Sequence, residues 1–92
     1  MKFGIQFSNE ALIDLFEAQQ YYYLISKELG KRFTDSFNDE MSRLEINPES
    51  FQKRYRNINI VFTKTFPYGI HYIITENVVC IQRILHQKQF YK

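Results

Sequence analysis

The feature that most limits the fold of this chain is a change of hydrophobic period at Pro48. Before Pro48, apolar residues recur every three or four positions, which is typical of one face of an α-helix. After it, apolar and polar residues alternate in short runs, which is typical of half-buried β-strands. Phe3, Ile5 and Phe7 also alternate and predict a strand at the start. Because 92 residues are enough for one domain and too few for two, residues 1–92 are predicted to form one α+β domain.

Two helices are predicted in the first half of the chain. Ser8 or Asn9 can cap the first helix, and Gly30 is predicted to end it. Asn47-Pro48 should end the second helix, since a residue before proline avoids the helical region. Because the connection between the two predicted helices near Gly30 is short, they are predicted to form an antiparallel hairpin. The predicted apolar stripe of the first helix is Leu12, Leu15, Tyr22, Ile25 and Leu29, with Phe16 and Ala18 beside it, and that of the second is Phe33, Phe37, Met41 and Leu44.

The second half of the chain predicts an antiparallel sheet of about four strands. Two long alternating runs flank Glu76-Asn77, which is short enough for a hairpin turn. The order of elements places the helical hairpin on one face of this sheet, together with the N-terminal strand. The predicted strands cover residues 51–56, 58–63, 70–74 and 78–85.

Charge is divided between the two halves. Residues 1–50 carry 5 Lys and Arg against 9 Asp and Glu, a net −4, whereas residues 51–92 carry 7 against 1, a net +6. A basic second half favours an anionic partner. The alternative is that glutamate is simply depleted in strands, which would produce the same division without any partner.

Several classes of protein are disfavoured by composition. The single Cys80 cannot form an internal disulfide, which is typical of a reducing compartment. No stretch approaches the roughly 20 apolar residues that cross a bilayer, and the start lacks the apolar run of a signal peptide. The two histidines and the cysteine are scattered. We therefore expect a soluble cytoplasmic protein without membrane contact, metal or cofactor.

The densest basic cluster is Lys53, Arg54 and Arg56, with Tyr55 between them. These cations, with Lys64, predict an RNA-binding surface, because they can contact phosphates while Tyr55 stacks on a base. The alternative is a solvated edge strand, in which Lys and Arg discourage aggregation.

Six short motifs follow one another along the chain: Ala11-x-x-Asp14-Leu15, Tyr21-Tyr22, Ser26-x-x-Leu29-Gly30-x-x-Phe33, Asn47-Pro48, Phe66-Pro67-Tyr68-x-Ile70-x-Tyr72 and Ile81-x-x-Ile84-Leu85-His86. Their order and spacing resemble the RelE/ParE superfamily of bacterial toxins over essentially the whole chain. The resemblance implies the toxin of a type II toxin–antitoxin system, which inhibits growth and is neutralised by a cognate antitoxin in a hetero-oligomer. It implies one of two targets, ribosome-bound messenger RNA or DNA gyrase.

The resemblance also implies candidate catalytic residues, if the chain is a ribosome-dependent endoribonuclease. His86 falls where some members place a functional histidine, and it can exchange protons near neutral pH. Lys88 and Arg83 are the candidate cations for the charge that develops on the phosphate. Two cations common in the superfamily are replaced, by Gly69 and by Gln89. The alternative for His86 is a hydrogen-bonded residue that closes the last strand.

The tyrosine run 21–23 is the candidate antitoxin contact. Residues this close on a helix cannot all face the core, and exposed aromatic residues are enriched at protein interfaces. Tyr21 and Tyr23 are therefore predicted to bind the antitoxin. Two other functions remain open: a toxin-fold remnant that binds its antitoxin but is not toxic, and a general nucleic-acid-binding module.

Overall fold

The two ends of the chain meet in one sheet, because the first strand pairs with the last. The computed structural model describes residues 2–50, 53–55 and 57–90. Its strands are β1 (Gly4–Phe7), β2 (Lys53–Tyr55), β3 (Ile58–Phe62), β4 (Tyr68–Thr75) and β5 (Val78–His86). Its helices are α1 (Asn9–Ile25), α2 (Lys27–Ile46) and the short α3 (Gln87–Phe90), with a 3-10 turn at Pro48–Ser50.

The five strands follow the order β1-β5-β4-β3-β2. The pairs β2–β3, β3–β4 and β4–β5 are antiparallel, which confirms the predicted antiparallel sheet of about four strands. The N-terminal strand adds a fifth, parallel strand, with Ile5 opposite Val79. Parallel pairing requires a long connection between the strands, and the helices and the other strands supply it. Of the strand predicted at 51–56, Lys53–Tyr55 is confirmed, while Phe51 and Arg56 lie outside the described residues.

The helical hairpin turns at a single residue, Ser26. Its extended backbone ends α1, and its hydroxyl accepts a hydrogen bond from the Leu29 N–H at 3.0 Å, which caps α2. The prediction that Gly30 breaks the helices is therefore wrong, since Gly30 lies inside α2. Glycine is required there for space, because a Cβ would lie 2.3 Å from Cγ of Tyr23. Contacts of Tyr22 with Phe33 and of Gln19 with Thr34 confirm that the helices are antiparallel.

The core lies between the hairpin and one face of the sheet, in two neighbouring clusters. One cluster is aromatic, with Tyr22, Phe33 and Phe66 as its centre, and the Phe33 and Phe66 rings meet edge to face at 5.2 Å. Such pairs contribute about 0.5–1.5 kcal/mol beyond the area they bury. The other cluster is mainly aliphatic and includes Ala11, Phe37, Leu44, Val61, Ile70, Tyr72, Val79, Ile81 and Ile84.

Only part of the apolar surface of α1 reaches this core. Its buried side is formed by Ala11, Ala18 and Tyr22, with Leu15 packed beside them. Leu12 and Ile25, which were predicted to lie on the buried stripe, are exposed. The prediction failed because α1 has apolar residues on all sides, so several stripes fit a helical period and spacing alone cannot select the buried one.

The hairpin of β4 and β5 carries two irregularities. Glu76 adopts a left-handed backbone with φ of 55°, so the predicted Glu76-Asn77 turn forms without glycine. Gln82 is an extra residue in β5, since Ile81 pairs with Tyr72 and Arg83 pairs with His71. This bulge lets Ile81 and Ile84 face the same core. In the part of the chain described, no helix has the length and apolarity needed to span a membrane.

Candidate functional site

His86 lies at the end of β5 and contacts both the neighbouring strand β4 and the start of α3. His86 lies opposite Tyr68 on β4, and the two rings meet edge to face at 5.3 Å. Its Nδ1 accepts a hydrogen bond from the Lys88 N–H at 3.1 Å, where α3 begins. His86 therefore joins β5 to α3, as the structural alternative predicted. The Lys88 side chain is exposed at this end of the sheet.

Arg83 is bound to α1 rather than directed toward His86. Its Nε and Nη2 donate hydrogen bonds to the two carboxylate oxygens of Asp14, at 2.7 and 3.1 Å. The Ile84 N–H donates a further bond to Asp14 Oδ2 at 3.0 Å. β1 pairs with β5 only as far as Ile81, so Asp14 covers the edge of β5 beyond it. Asp14 thus satisfies a backbone N–H at an open strand edge and holds Arg83 beside α1.

The side chains of Arg83 and His86 also project from opposite faces of the sheet. The register of β4 and β5 is regular from Arg83 opposite His71 to His86 opposite Tyr68. Residues three apart in a regular strand project from opposite faces. The three candidate catalytic residues, Arg83, His86 and Lys88, therefore do not converge on one point.

Gly69, which replaces one of the superfamily cations, is closely packed. It is buried opposite Phe62, and a Cβ would lie 3.2 Å from Phe62 Cε1 and 3.3 Å from Ile60 Cγ2. A side chain at position 69 would therefore require the Phe62 ring to shift by a few tenths of an ångström. The glycine is thus part of the packing of this sheet face.

The predicted RNA-binding cations are distributed over separate places. Lys53 and Arg54 lie in β2, which is the edge strand farthest from β1, and Arg56 lies outside the described residues. Lys64 is exposed in the connection between β3 and β4, across a cavity from Arg32 and Arg43 of α2. The placement of Lys53 and Arg54 at an edge agrees equally with a phosphate-binding surface and with a protected edge strand.

The tyrosine run divides between core and surface, as predicted. Tyr22 is buried, whereas Tyr21 and Tyr23 are exposed. Tyr21 lies beside a cavity of about 170 Å³, which reaches Asp14, Tyr68 and Ile84. Burial, followed by the neighbouring Tyr22 and Tyr21, raises the pKa of Tyr68 to about 12, so its hydroxyl stays protonated at neutral pH.

A second apolar surface of α1 was missed by the sequence analysis. Phe16 is 59% exposed and Leu24 is 85% exposed, on the side of α1 opposite its buried residues. The sequence does contain a signal for it, because α1 has more apolar residues than a single buried side can accommodate. We call this surface the outer face of α1; its apolar members are Leu12, Ile13, Phe16 and Leu24.

Metal chemistry has no visible basis in the described residues. Within residues 2–50, 53–55 and 57–90, no group of three or more His, Cys, Asp or Glu side chains is arranged to hold a metal ion.

His71 is buried in β4, and burial followed by the charge of Arg83 lowers its pKa, which keeps the imidazole neutral.

The arrangement of a helical hairpin on a five-stranded sheet defines a RelE/ParE-like toxin fold. A solved structure described as the chromosomal ParDE TA system from P. aeruginosa has the same fold, with a TM-score of 0.78 and 13% sequence identity. The match covers 92% of this chain and 96% of that one. No curated protein sequence matches significantly.

The sequence model of the family described as ParE toxin of type II toxin-antitoxin system, parDE, matches residues 5–91. The chain therefore belongs to the ParE toxin family, which confirms the resemblance inferred from its motifs.

Proposed function

We propose that this protein inhibits growth by acting on DNA gyrase, and that a cognate antitoxin neutralises it by binding the outer face of α1. The observation that carries the choice of target is the engagement of Arg83 by Asp14, away from His86. RNA cleavage needs a proton donor or acceptor and a cation around one phosphate. Membership of the ParE family and the presence of glycine in place of a cation at position 69 support the same choice.

The antitoxin surface is argued from exposure and charge. The outer face of α1 presents large apolar side chains, and helices that bind grooves or other helices do so through such stripes. Two carboxylates of α1, of Glu10 and Glu17, are exposed, and the helix contains no Lys or Arg. An amphipathic antitoxin segment with apolar anchors and basic flanks is the complementary partner. Tyr21 and Tyr23 lie at the C-terminal half of the same helix.

Controlled expression in a bacterium tests the growth effect and the target together. Induction should arrest growth, purified protein should block gyrase-catalysed supercoiling, and the ends of messenger RNAs should not change. Cleavage of ribosome-bound messenger RNA with unaffected gyrase would contradict the proposed target. Normal growth despite abundant folded protein would identify a non-toxic remnant instead.

The His86→Gln variant separates the two targets further. Glutamine keeps polar atoms at the end of β5 but cannot exchange protons at neutral pH. On the gyrase mechanism we expect toxicity within about twofold of the wild type, provided that circular dichroism shows an intact fold. Loss of toxicity in a folded His86→Gln protein would favour RNA cleavage, the second candidate, which the exposed Lys88 near His86 supports.

Lysine substitutions on α1 test the antitoxin surface. Phe16→Lys and Leu24→Lys remove apolar anchors and add charge that repels a basic partner, so each should weaken neutralisation by at least about tenfold. Tyr21→Ala and Tyr23→Ala should weaken it as well. Ile46→Lys is the matched control, since Ile46 is an exposed apolar residue at the end of α2. Neutralisation that survives all four α1 changes would place the antitoxin elsewhere.

A further inference from the structure

A second surface feature, unlike the apolar outer face of α1, is a polar cavity that contains a buried carboxylate. It lies between α2 and the connection from β3 to β4, and its volume is about 250 Å³. A water molecule occupies about 30 Å³ in the liquid, so the cavity has room for a group the size of a long side chain. Its lining consists of Arg32, Asp35, Ser36, Asp39, Glu40, Arg43, Lys64, Thr65 and Phe66.

Glu40 is the unusual member of this lining, because it is charged and only 2% exposed. Its Oε2 accepts a hydrogen bond from Arg43 Nη1 at 3.2 Å. Its Oε1 is buried and has no hydrogen-bond partner in the described part of the chain. A buried polar atom without a partner is costly, by about 1–3 kcal/mol and more for a charged group. A carboxylate only accepts hydrogen bonds, so Oε1 needs a donor.

The lining of the cavity carries three carboxylates and three cations, which differ in their surroundings. Asp35 and Asp39 are exposed and lie four residues apart on α2, where two like charges destabilise a helix. Of the three cations, Arg43 already binds Glu40, while Arg32 and Lys64 are exposed on long, flexible stems at the rim. Phe66 provides an apolar wall against which a methylene stem can pack.

We propose that this cavity is a binding site for a guanidinium or ammonium group on a flexible stem, held by Glu40 Oε1 with Asp35 and Asp39 at the rim. A charged donor forms a hydrogen bond roughly twice as strong as a neutral one, which suits a buried carboxylate. The group comes either from an arginine or lysine side chain of a partner protein or from a free polyamine. This site does not depend on the proposed toxicity or on the outer face of α1.

Titration of the purified, isotope-labelled chain followed by ¹H–¹⁵N NMR tests the site. N-acetyl-arginine amide should produce saturable shifts confined to residues 32–43 and 64–66. N-acetyl-citrulline amide, which has the same shape but no charge, should produce none. Spermidine is the free-polyamine probe: stronger binding of the arginine probe indicates a partner side chain, and stronger binding of spermidine indicates a polyamine.

Glu40→Gln should weaken binding of the cationic probe by about tenfold or more, because it removes a charge-assisted bond. Glu28→Gln, an exposed position on the same helix, is the matched control and should bind like the wild type. Binding that persists in Glu40→Gln, equal binding of the citrulline probe, or no binding of either cation would overturn the proposal. So would binding of inorganic phosphate at the same residues.

If Glu40→Gln does not fold, the comparison of the arginine and citrulline probes on the wild-type chain still decides the outcome. None of these titrations measures bacterial growth or neutralisation by the antitoxin. A negative result here therefore leaves the proposed function standing, and loss of toxicity or of gyrase inhibition leaves this site standing.

Discussion

At the scale of single residues, Asp14 does more for the fold than its position on a helix suggests. Its carboxylate satisfies the Ile84 N–H at an open strand edge and also fixes Arg83 against α1. The motif Ala11-x-x-Asp14-Leu15 was part of the family resemblance, but the sequence does not indicate its structural role. Asp14 is 12% exposed in its side chain and Arg83 is 43% exposed, so the two partners should differ in their effect on stability.

Asp14→Ala should lower the free energy of unfolding by about 1–3 kcal/mol, because it leaves a strand N–H unsatisfied and a cation unpaired. Arg83→Ala removes only the exposed half of the ion pair and should cost less than about 1 kcal/mol. Urea denaturation of the two variants and the wild type measures this difference. A larger loss for Arg83→Ala than for Asp14→Ala would contradict the edge-closing role of Asp14.

His71 should make the stability depend on pH. Its pKa in the folded protein is lowered, by burial first and then by Arg83, whereas an unfolded histidine has a pKa of about 6.5. Below about pH 6.5 the unfolded chain therefore binds a proton that the native chain does not, and the free energy of unfolding falls as pH falls.

For this single group, the loss reaches at most about 1.4 kcal/mol per pH unit. His71→Gln should flatten the dependence between pH 7 and pH 5 in denaturant titrations. His86→Gln is the matched control at the other histidine and should keep it. An unchanged slope in His71→Gln would exclude His71 as the source.

At the scale of elements, the hairpin of α1 and α2 depends on close packing at Gly30. The Tyr23 ring covers this glycine so closely that a Cβ would overlap it. The sequence suggested glycine as a helix end, because that is its commonest role near the end of a helical stripe. Ser26 fulfils that role instead, as the cap shared by both helices.

Gly30→Ala should therefore destabilise the wild type, because the Tyr23 ring must move. In a Tyr23→Ala background the same change should stabilise the protein by about 0.5–1 kcal/mol, since alanine is the better helix former. Thermal unfolding of the four proteins in this double-mutant cycle measures the coupling. The same sign for Gly30→Ala in both backgrounds would show that the ring is not the constraint.

At the scale of the whole molecule, the outer face of α1 is uncovered in the isolated chain. Monomeric proteins seldom keep large apolar patches exposed, and such patches mark binding sites or sites of association. A domain of this size is also only marginally stable on its own. Covering the face with a partner would therefore raise stability as well as neutralise the protein.

Without a partner, the chain should self-associate with increasing concentration. The double variant Phe16→Gln and Leu24→Gln should shift it toward the monomer, while its free energy of unfolding changes by less than about 0.5 kcal/mol for each exposed substitution. Size-exclusion chromatography with light scattering measures the association, and Ile46→Gln serves as the control. Equal association of the double variant and the wild type would show that the outer face of α1 is not responsible.

The α+β class, the kind and order of most elements and the family could be predicted from the amino-acid sequence. These depend on local signals: a change of hydrophobic period, a proline after α2, and turn residues at fixed offsets. For residues 21–23, the sequence required at least one tyrosine to face outward, because adjacent helical residues cannot share one buried side, and two of them, Tyr21 and Tyr23, are exposed.

Tertiary contacts were needed to show which apolar side of α1 is buried, that β1 pairs in parallel with β5, and what surrounds Asp14, Gly30 and Glu40. Each of these features depends on contacts between residues far apart in the chain or on the space between two elements. A periodic pattern describes one element at a time and does not specify its neighbour. The same limit applies to the candidate catalytic residues. Arg83 and His86 lie close in sequence, but the register of the sheet and the ion pair with Asp14 separate their side chains.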